Sequence, residues 1–410
     1  GVFTVIEIEQ AWKKIRETTR PTGTVEVPID QSVGRVLGEA IRADQDSPRF
    51  DKSLVDGFAL GSLPTDPNSF EVLEIVTAGQ TPTLELSKGK ASQVMTGAPV
   101  PKNTMAVVMI EQTEQNQAEK GNHKVTVHSP NVLPQQNILK QGTVIAGGKV
   151  LLDAGHSLQP KDMGVLTEFG ISDLTMFRQP SVGILATGNE LVPYDQEPAC
   201  GQIRNSNGPL LTSLTNHAGG VANQLAIGRD DEKELRRLIS SGLENDILLI
   251  AGGVSAGVLD LIPQCLQACG VEQVFHGINL KPGKPLWYGT SAKGQPVFGL
   301  PGNPISSLVC FKLFVEPTIA ALSGSIANSS GQFPVNPRTA KLHCSYSHRG
   351  GRRTFWPCQL VWENKNPELL PLKWQGSADQ VTFLQADALA EFNGPKRVIS
   401  KDEPITYVPL

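Results

Sequence analysis

Ile247-Leu-Leu-Ile-Ala251-Gly-Gly-Val-Ser-Ala-Gly257 is an unbroken apolar run that ends in a glycine-rich turn. A strand with one face in water alternates apolar and polar residues, whereas a strand covered by helices on both faces is apolar throughout, as in parallel sheets. The same handover from apolar run to turn recurs on either side. Val182–Leu185 leads into Ala186-Thr-Gly-Asn-Glu190, Val297–Leu300 leads into Leu300-Pro-Gly-Asn-Pro304, and Lys281-Pro-Gly-Lys-Pro285 adds a fourth turn. Helical patterns at Glu232–Ile239 and Asn303–Leu322 alternate with these runs. The spacing predicts an α/β domain with a mostly parallel sheet from Ser181 to about Gly324. Ligands of open α/β sheets bind outside the carboxyl ends of the strands, so the four turns are expected to converge on one site.

Outward from this stretch the texture becomes β-like. Toward the N-terminus, short runs at Phe70–Val76, Met105–Ile110 and His123–His128 lie between Pro, Gly and Asn clusters and predict a small β-rich domain. Ahead of it, Thr4 with Glu7 three residues on has the form of a capping box, opening an amphipathic helix that carries Val5, Ile8, Trp12 and Ile15. Lys149–Leu152 reads as a strand and Lys161–Glu168 as a helix. Beyond Gly331, strands are expected at Thr339–Ser345, Phe355–Val361, Gln380–Leu384 and Pro404–Pro409, enough for a small C-terminal β-barrel.

At 410 residues the chain is too long for one ordinary core. Its formal charge of −4 gives no global electrostatic reason to bind nucleic acid or an anionic membrane. No apolar run reaches the roughly 18 to 20 residues of a bilayer span, and the acidic start is unlike a signal peptide, so a cytoplasmic protein is expected. Six cysteines without a CxxC pair and seven histidines without HxH or HExxH argue against a structural zinc site. Cys265 and Cys269, four apart in an expected helix, read as buried core thiols.

The turns carry the chemistry. Gly252 and Gly253 let backbone approach an anion closely, and Ser255 adds a hydroxyl donor. Asp260 could accept from a ligand amide or reach a cation, or it could serve as a helix N-terminal charge. Lys281 and Lys284 flank Pro282-Gly283 and could point two ammonium groups into one cavity, where an oxyanion or phosphate would relieve their repulsion. Glu190, just past a strand end, is placed to bind a polar ligand or Mg²⁺. Either Asp230 or Asp231 could cap the next helix. In the β-rich part, Asp51 and Asp56 share a loop, where one could act as base or both could hold Mg²⁺, and where a merely solvated loop fits the spacing equally well. Thr96 sits on a further glycine-proline turn, Met95-Thr-Gly-Ala-Pro-Val-Pro101.

Together with Phe50-Asp51-Lys-Ser-Leu-Val-Asp56-Gly-Phe-Ala59, Ala106-Val-Val-Met-Ile-Glu-Gln-Thr-Glu114 and Gly201-Gln-Ile-Arg-Asn-Ser-Asn207, these stretches resemble the molybdopterin molybdenumtransferase family, which includes bacterial MoeA and the E domains of plant Cnx proteins and gephyrin. The order and spacing of the motifs cover essentially the whole chain. The resemblance implies a multidomain α/β plus β protein: a split domain of residues 1–44 and 139–178, an inserted β-rich domain of 45–138, a molybdopterin-binding α/β domain of 179–326 and a β-barrel of 327–410. It also implies a homodimer and a reaction in which adenylylated molybdopterin is hydrolysed and molybdate is inserted into the dithiolene, with Mg²⁺ as cofactor. The preceding molybdopterin adenylyltransferase and recipient apo-enzymes are the implied protein partners.

Carried over position by position, the resemblance implies a catalytic set of Asp56, Thr96, Glu190, Asp260, Lys281 and Lys284. Asp230, Gly252, Gly253, Ser255, Pro301, Asn303 and Ser306 would bind substrate. Molybdate would be held by Lys281, Lys284, Arg352 (or its neighbour Arg353) and Ser377, and the metal by Glu190 and Asp260. Three departures stand out. Leu139-Lys-Gln-Gly-Thr-Val144 replaces an Arg-Arg-Gly-x-Asp stretch found in many relatives, Val258 and Leu261 replace an acid and an aromatic, and Gly351-Arg-Arg-Thr-Phe-Trp-Pro357 lacks an acid and a second arginine. A non-catalytic binding or scaffold protein of the same fold is the alternative expectation, and an adenylyltransferase is a third, which the additional domains disfavour.

Overall fold

The structure, a computed structural model, describes residues 5–65, 68–117, 123–129, 131–254, 261–325, 337–363 and 366–410. The chain divides into two compact units, one of Gly1–Glu39, Gly155–Asp162 and Ser172–Leu410, the other of Ala40–Ala154 and Met163–Ile171.

In the first unit, the three apolar runs are joined by three further strands in a six-stranded sheet ordered Val221–Gln224, Ser181–Ala186, Ile247–Ala251, Pro296–Leu300, Trp287–Ser291, Val271–His276. The first three pairings are parallel and the last two antiparallel. Every residue of Ile247–Ala251 and Pro296–Leu300 is buried, as strands covered on both faces require. One face is covered by Leu211 and by Val309, Phe311, Phe314 and Ile319; the other by Leu235, Leu238, Ile239, Ile262, Cys265 and Leu266. Cys265 is buried as expected, while Cys269 is only partly so. Ser181–Ala186 has neighbours on both sides, reached through helices on opposite faces, so the chain reverses its direction of winding beside this strand. Such switch points are where open α/β sheets bind ligands.

The helix read at Asn303–Leu322 runs from Pro304 to Leu322, with a π turn at Phe311–Val315 between two α segments. Contrary to the expectation that no stretch approaches bilayer length, it is long and apolar enough to do so, but 78% of its most apolar window is buried. It is the central core helix of this unit, and its Lys312 is neutralised by Glu316 one turn later at 2.6 Å.

The N-terminal helix begins later than the sequence suggested. It spans Ile8–Thr18, and the reciprocal capping box is formed by Glu7 and Gln10. Thr4 lies outside the described residues, and Val5 is exposed instead of packed.

The C-terminal strands close into a five-stranded barrel: Arg353–Glu363, Asn366–Pro371, Arg338–Leu342, Pro404–Pro409, Ala388–Phe392 and back to Arg353–Glu363. Gln380–Leu384 is not one of them. Thr382–Gln385 is a 3₁₀ turn, because the Asp379 carboxylate accepts from the Thr382 N–H (3.1 Å) and hydroxyl (2.6 Å) and ties the segment into a local cap. A sixth strand, Leu280–Lys281, pairs in parallel with Arg353–Thr354, so the lysine turn is hydrogen-bonded to the barrel wall.

The second unit is built on a six-stranded sheet ordered Ala106–Met109, Gly57–Leu60, Lys90–Val94, Ser69–Val76, His123–Val127, Thr113–Gln117. Part of the stretch read as a loop around Asp51 and Asp56 is in fact strand, at Lys52–Ser53 and Gly57–Leu60.

Candidate functional site

Two clefts adjoin in the first unit. The first, of about 510 Å³, lies at the carboxyl ends of the parallel strands. Its walls are the turn after Ser181–Ala186 (Thr187, Gly188, Glu190), Asp230, the turn after Ile247–Ala251 (Gly252, Gly253, Val254) and the turn after Pro296–Leu300 (Pro301, Gly302, Asn303). The sequence-predicted residues Glu190, Asp230, Gly252, Gly253, Pro301 and Asn303 are thus brought together. Ser255 and Asp260 lie outside the described residues.

Backbone pairing fixes these turns. Thr187 donates its N–H to Ala251 O at 2.9 Å, Gly188 to Gly228 O at 3.0 Å and Gly252 to Leu300 O at 3.1 Å, extending the ladder beyond the strand ends. The Gly252 N–H is therefore used by the sheet, and the glycine is required for a different reason. Its φ is +99°, and a Cβ there would stand 2.6 Å from Thr187 O. Asp231 caps the following helix by accepting from Glu234 N–H at 2.8 Å, which settles the choice between the two acids and leaves Asp230 on the cleft wall.

Two features here were not read from the sequence. Arg229 reaches back and donates through Nη1 to the carbonyls of Asn189 (3.0 Å) and Leu191 (2.9 Å), clamping the loop that carries Glu190. Asn207 donates through Nδ2 to Gly302 O at 2.7 Å, which leaves its Oδ1, like Thr187 Oγ1, buried on the cleft lining without a partner among the described residues. A buried acceptor left unpaired is costly, and a bound ligand is one way of satisfying it. Only the position of Asn207 in the Gly201–Asn207 motif hinted at it.

The second cleft, of about 550 Å³, lies between the lysine turn and the barrel. Lys281, Lys284, Asn303, Ser306, Arg349, Arg352 and Ser377 all line it, and among the described residues no carboxylate does. Gly283, at the tip of the lysine turn, has φ +118°, and a Cβ there would meet Cys310 Sγ at 2.7 Å. Asn303 donates from Nδ2 to Ser377 Oγ at 3.0 Å, joining the α/β turn to the barrel loop. Of the two candidate arginines, Arg352 lines the cleft and donates to Leu280 O at 3.1 Å, whereas Arg353 is engaged by Glu391 (2.8 Å) and by Glu9. The clefts share Pro285, Pro301 and Asn303. Among the described residues, the acids Glu190 and Asp230 therefore face one cleft and four cations face the other.

Asp56 and Thr96 belong to the second unit and meet there. Asp56 Oδ1 accepts from the Thr96 N–H at 2.6 Å and hydroxyl at 2.9 Å, and these bonds hold its pKa below the ordinary carboxylate value. A carboxylate so stabilised is a poor general base and a good acceptor. Asp51 is committed elsewhere. Partial burial raises its pKa, but the Lys140 ammonium at 2.6 Å and the Gln141 N–H at 2.8 Å outweigh burial and lower it. The divergent Leu139–Val144 stretch thus anchors its own loop, with the Gln141 side chain also donating to Asp46 at 2.9 Å.

Among the described residues no group of three or more His, Cys, Asp or Glu side chains is arranged to hold a metal. Glu190 and Asp230, which line the same cleft, are the acids that could hold Mg²⁺, which takes one or two protein carboxylates and keeps its remaining positions for phosphate and water.

Known proteins resemble this chain in sequence and fold. The family model of the MoeA N-terminal region (domain I and II) matches residues 6–170, and that of a probable molybdopterin binding domain matches residues 183–321. A protein named molybdopterin molybdenumtransferase from Staphylococcus epidermidis is 31% identical over 331 residues, which is 79% of this chain and 77% of that protein. One of the same name from Staphylococcus aureus is 31% identical over 328 residues, 78% and 77% of the respective chains. The crystal structure of a molybdopterin biosynthesis MoeA protein from Pyrococcus horikoshii superposes with a TM-score of 0.83 at 31% identity, covering 99% of both chains. With sheet, lysine turn and closed barrel in the order that the motifs prescribed, the chain belongs to the molybdopterin molybdenumtransferase family.

Proposed function

We propose that this chain carries out molybdate insertion: it takes adenylylated molybdopterin, hydrolyses the adenylate and transfers molybdate to the dithiolene. The observation that carries this reading is the pair of contiguous clefts of opposite charge. An acid-lined cleft accepts from the N–H groups of a pterin and suits Mg²⁺, and an acid-free cationic cleft next to it attracts an oxyanion. One substrate molecule lying over the Pro285–Pro301 ridge would present its head to the first and its reacting end to the second.

Lys281, Lys284, Arg352 and Ser377 are assigned to molybdate, with Asn303 positioning Ser377 and Ser306 completing the wall. Glu190 and Asp230, with Asp260, are assigned to substrate and metal; Gly252 and Gly253, with Ser255, let the ligand approach the strand ends. Mg²⁺, when bound, would neutralise phosphate charge beside these acids. Asp56 and Thr96 complete the catalytic set within a homodimer, Asp56 as a hydrogen-bond acceptor. The preceding adenylyltransferase and recipient apo-enzymes are the proposed protein partners.

Lys281→Ala and Lys284→Ala should each raise the molybdate concentration for half-maximal insertion by about tenfold or more, the worth of a charge-assisted hydrogen bond. AMP release at saturating molybdate should fall much less. Glu190→Gln should show the reverse pattern. Unchanged molybdate dependence in both lysine variants would remove the assignment.

A further inference from the structure

We infer that His348 and Trp374, two barrel residues, are further ligands of the oxyanion taken by the cationic cleft. The inference rests on the reading above and adds to it a recognition surface that charge alone does not supply. His348 ends the strand Tyr346–His348, and Trp374 follows the strand Asn366–Pro371. Both line the cleft together with Lys281, Lys284 and Arg352. They are more than nine-tenths buried, at 2% and 7% exposure, yet His348 Nε2 and Trp374 Nε1 have no hydrogen-bond partner among the described residues.

Packing explains the rings but not these nitrogens. His348 rests against Phe392 at 6.1 Å, and Trp374 meets Trp356 edge-on at 5.1 Å and Phe383 at 5.9 Å. Phenylalanine would fill such places without burying a polar atom. The neighbouring indole makes the contrast, since Trp356 Nε1 donates to Leu372 O at 2.9 Å. Two buried polar atoms without partners among the described residues, on two side chains that line the same cleft, call for a partner supplied there.

Chemistry then selects the ligand. An indole N–H is a donor only, as are ammonium and guanidinium groups, and imidazole Nε2–H is a donor in one neutral tautomer. A wall of donors fits a group made entirely of acceptors, namely a tetrahedral oxyanion without a proton. Because both nitrogens are screened from water, engaging them requires a small side-chain movement in the wall, so the barrel closes on the oxyanion instead of merely attracting it.

The test is molybdate binding to the full-length protein by calorimetry. Trp374→Phe keeps an aromatic ring in the wall and removes the donor; His348→Leu removes the donor, and His348→Gln restores one. Trp374→Phe and His348→Leu should each weaken molybdate binding by about tenfold, and His348→Gln should stay within about threefold of wild type, while thermal midpoints without molybdate hold or rise. In ¹⁵N spectra of the wild-type protein, the Trp374 indole N–H, identified by its absence in Trp374→Phe, should move on adding molybdate. Wild-type binding with unchanged affinity in Trp374→Phe and His348→Leu overturns this inference alone. Equal loss in His348→Leu and His348→Gln reduces His348 to a packing residue and overturns its part. Absence of molybdate binding by the wild-type protein overturns both this inference and the reading beneath it.

Discussion

Gly252 leaves the central strand with a positive φ and no room for a Cβ against the carbonyl of Thr187. Because the obstacle is backbone, Gly252→Ala must displace the turn that carries Glu190. Backbone strain of this kind costs about 1 to 3 kcal/mol. The variant should show a lowered thermal midpoint together with a more than tenfold loss of turnover; a wild-type midpoint and rate would show that the turn tolerates a side chain. Arg229 acts at the same turn from the opposite side, and Arg229→Met should raise KM for adenylylated molybdopterin more than it lowers kcat. At this scale the sequence was informative where a residue type is scarce in its setting, as with paired lysines around Pro282-Gly283 or glycines after an apolar run. It only hinted at Asn207 through its motif and was silent on Arg229, His348 and Trp374, whose roles depend on which backbone or cleft they meet after folding.

The element scale is governed by how strands are fastened to their neighbours. Asp246, just before the strand Ile247–Ala251, receives both Nη atoms of Arg178 at 2.7 Å and the N–H and hydroxyl of Ser181 at 2.7 and 2.8 Å. Burial alone would raise its pKa, but the guanidinium and the Ser181 donors more than reverse that, and the net shift is downward. A carboxylate whose folded pKa lies below its unfolded value stabilises the fold fully above the unfolded value and loses that contribution as pH falls through the folded one. Asp246→Asn should therefore destabilise by about 1 to 3 kcal/mol at pH 7, with the gap to wild type closing below about pH 4. Parallel urea-denaturation curves from neutral to acid pH would contradict this. Elements with one environment along their length were legible: Ile247–Ala251 and Pro296–Leu300 are buried throughout. The segment around Gln380–Leu384 was not, because its apolar side chains suggest a strand, yet Val381 and Leu384 are exposed and Asp379 imposes the turn. Gly57–Leu60 was hidden for the opposite reason, its strand being short and preceded by polar loop residues.

On the scale of the molecule, function depends on holding an acid-lined strand-end cleft beside a cationic barrel cleft. Three connections within the same unit do this: the Leu280–Lys281 pairing with Arg353–Thr354, Arg352 to Leu280 O, and Asn303 to Ser377. Motif order along the chain announced the α/β domain and the barrel, because each motif is local. The contiguity of the clefts was not readable from sequence, since it is produced by pairing between Leu280–Lys281 and a strand some seventy residues onward. The most direct measurement is a single-turnover reaction of the purified protein with adenylylated molybdopterin and Mg²⁺, with and without molybdate, following AMP release and reconstitution of a molybdenum-dependent apo-enzyme. Molybdate-dependent AMP release accompanied by reconstitution is the result expected of two clefts acting on one substrate. Tight binding of the adenylylated substrate with neither AMP release nor reconstitution would contradict the account and leave a binding protein built on the same fold.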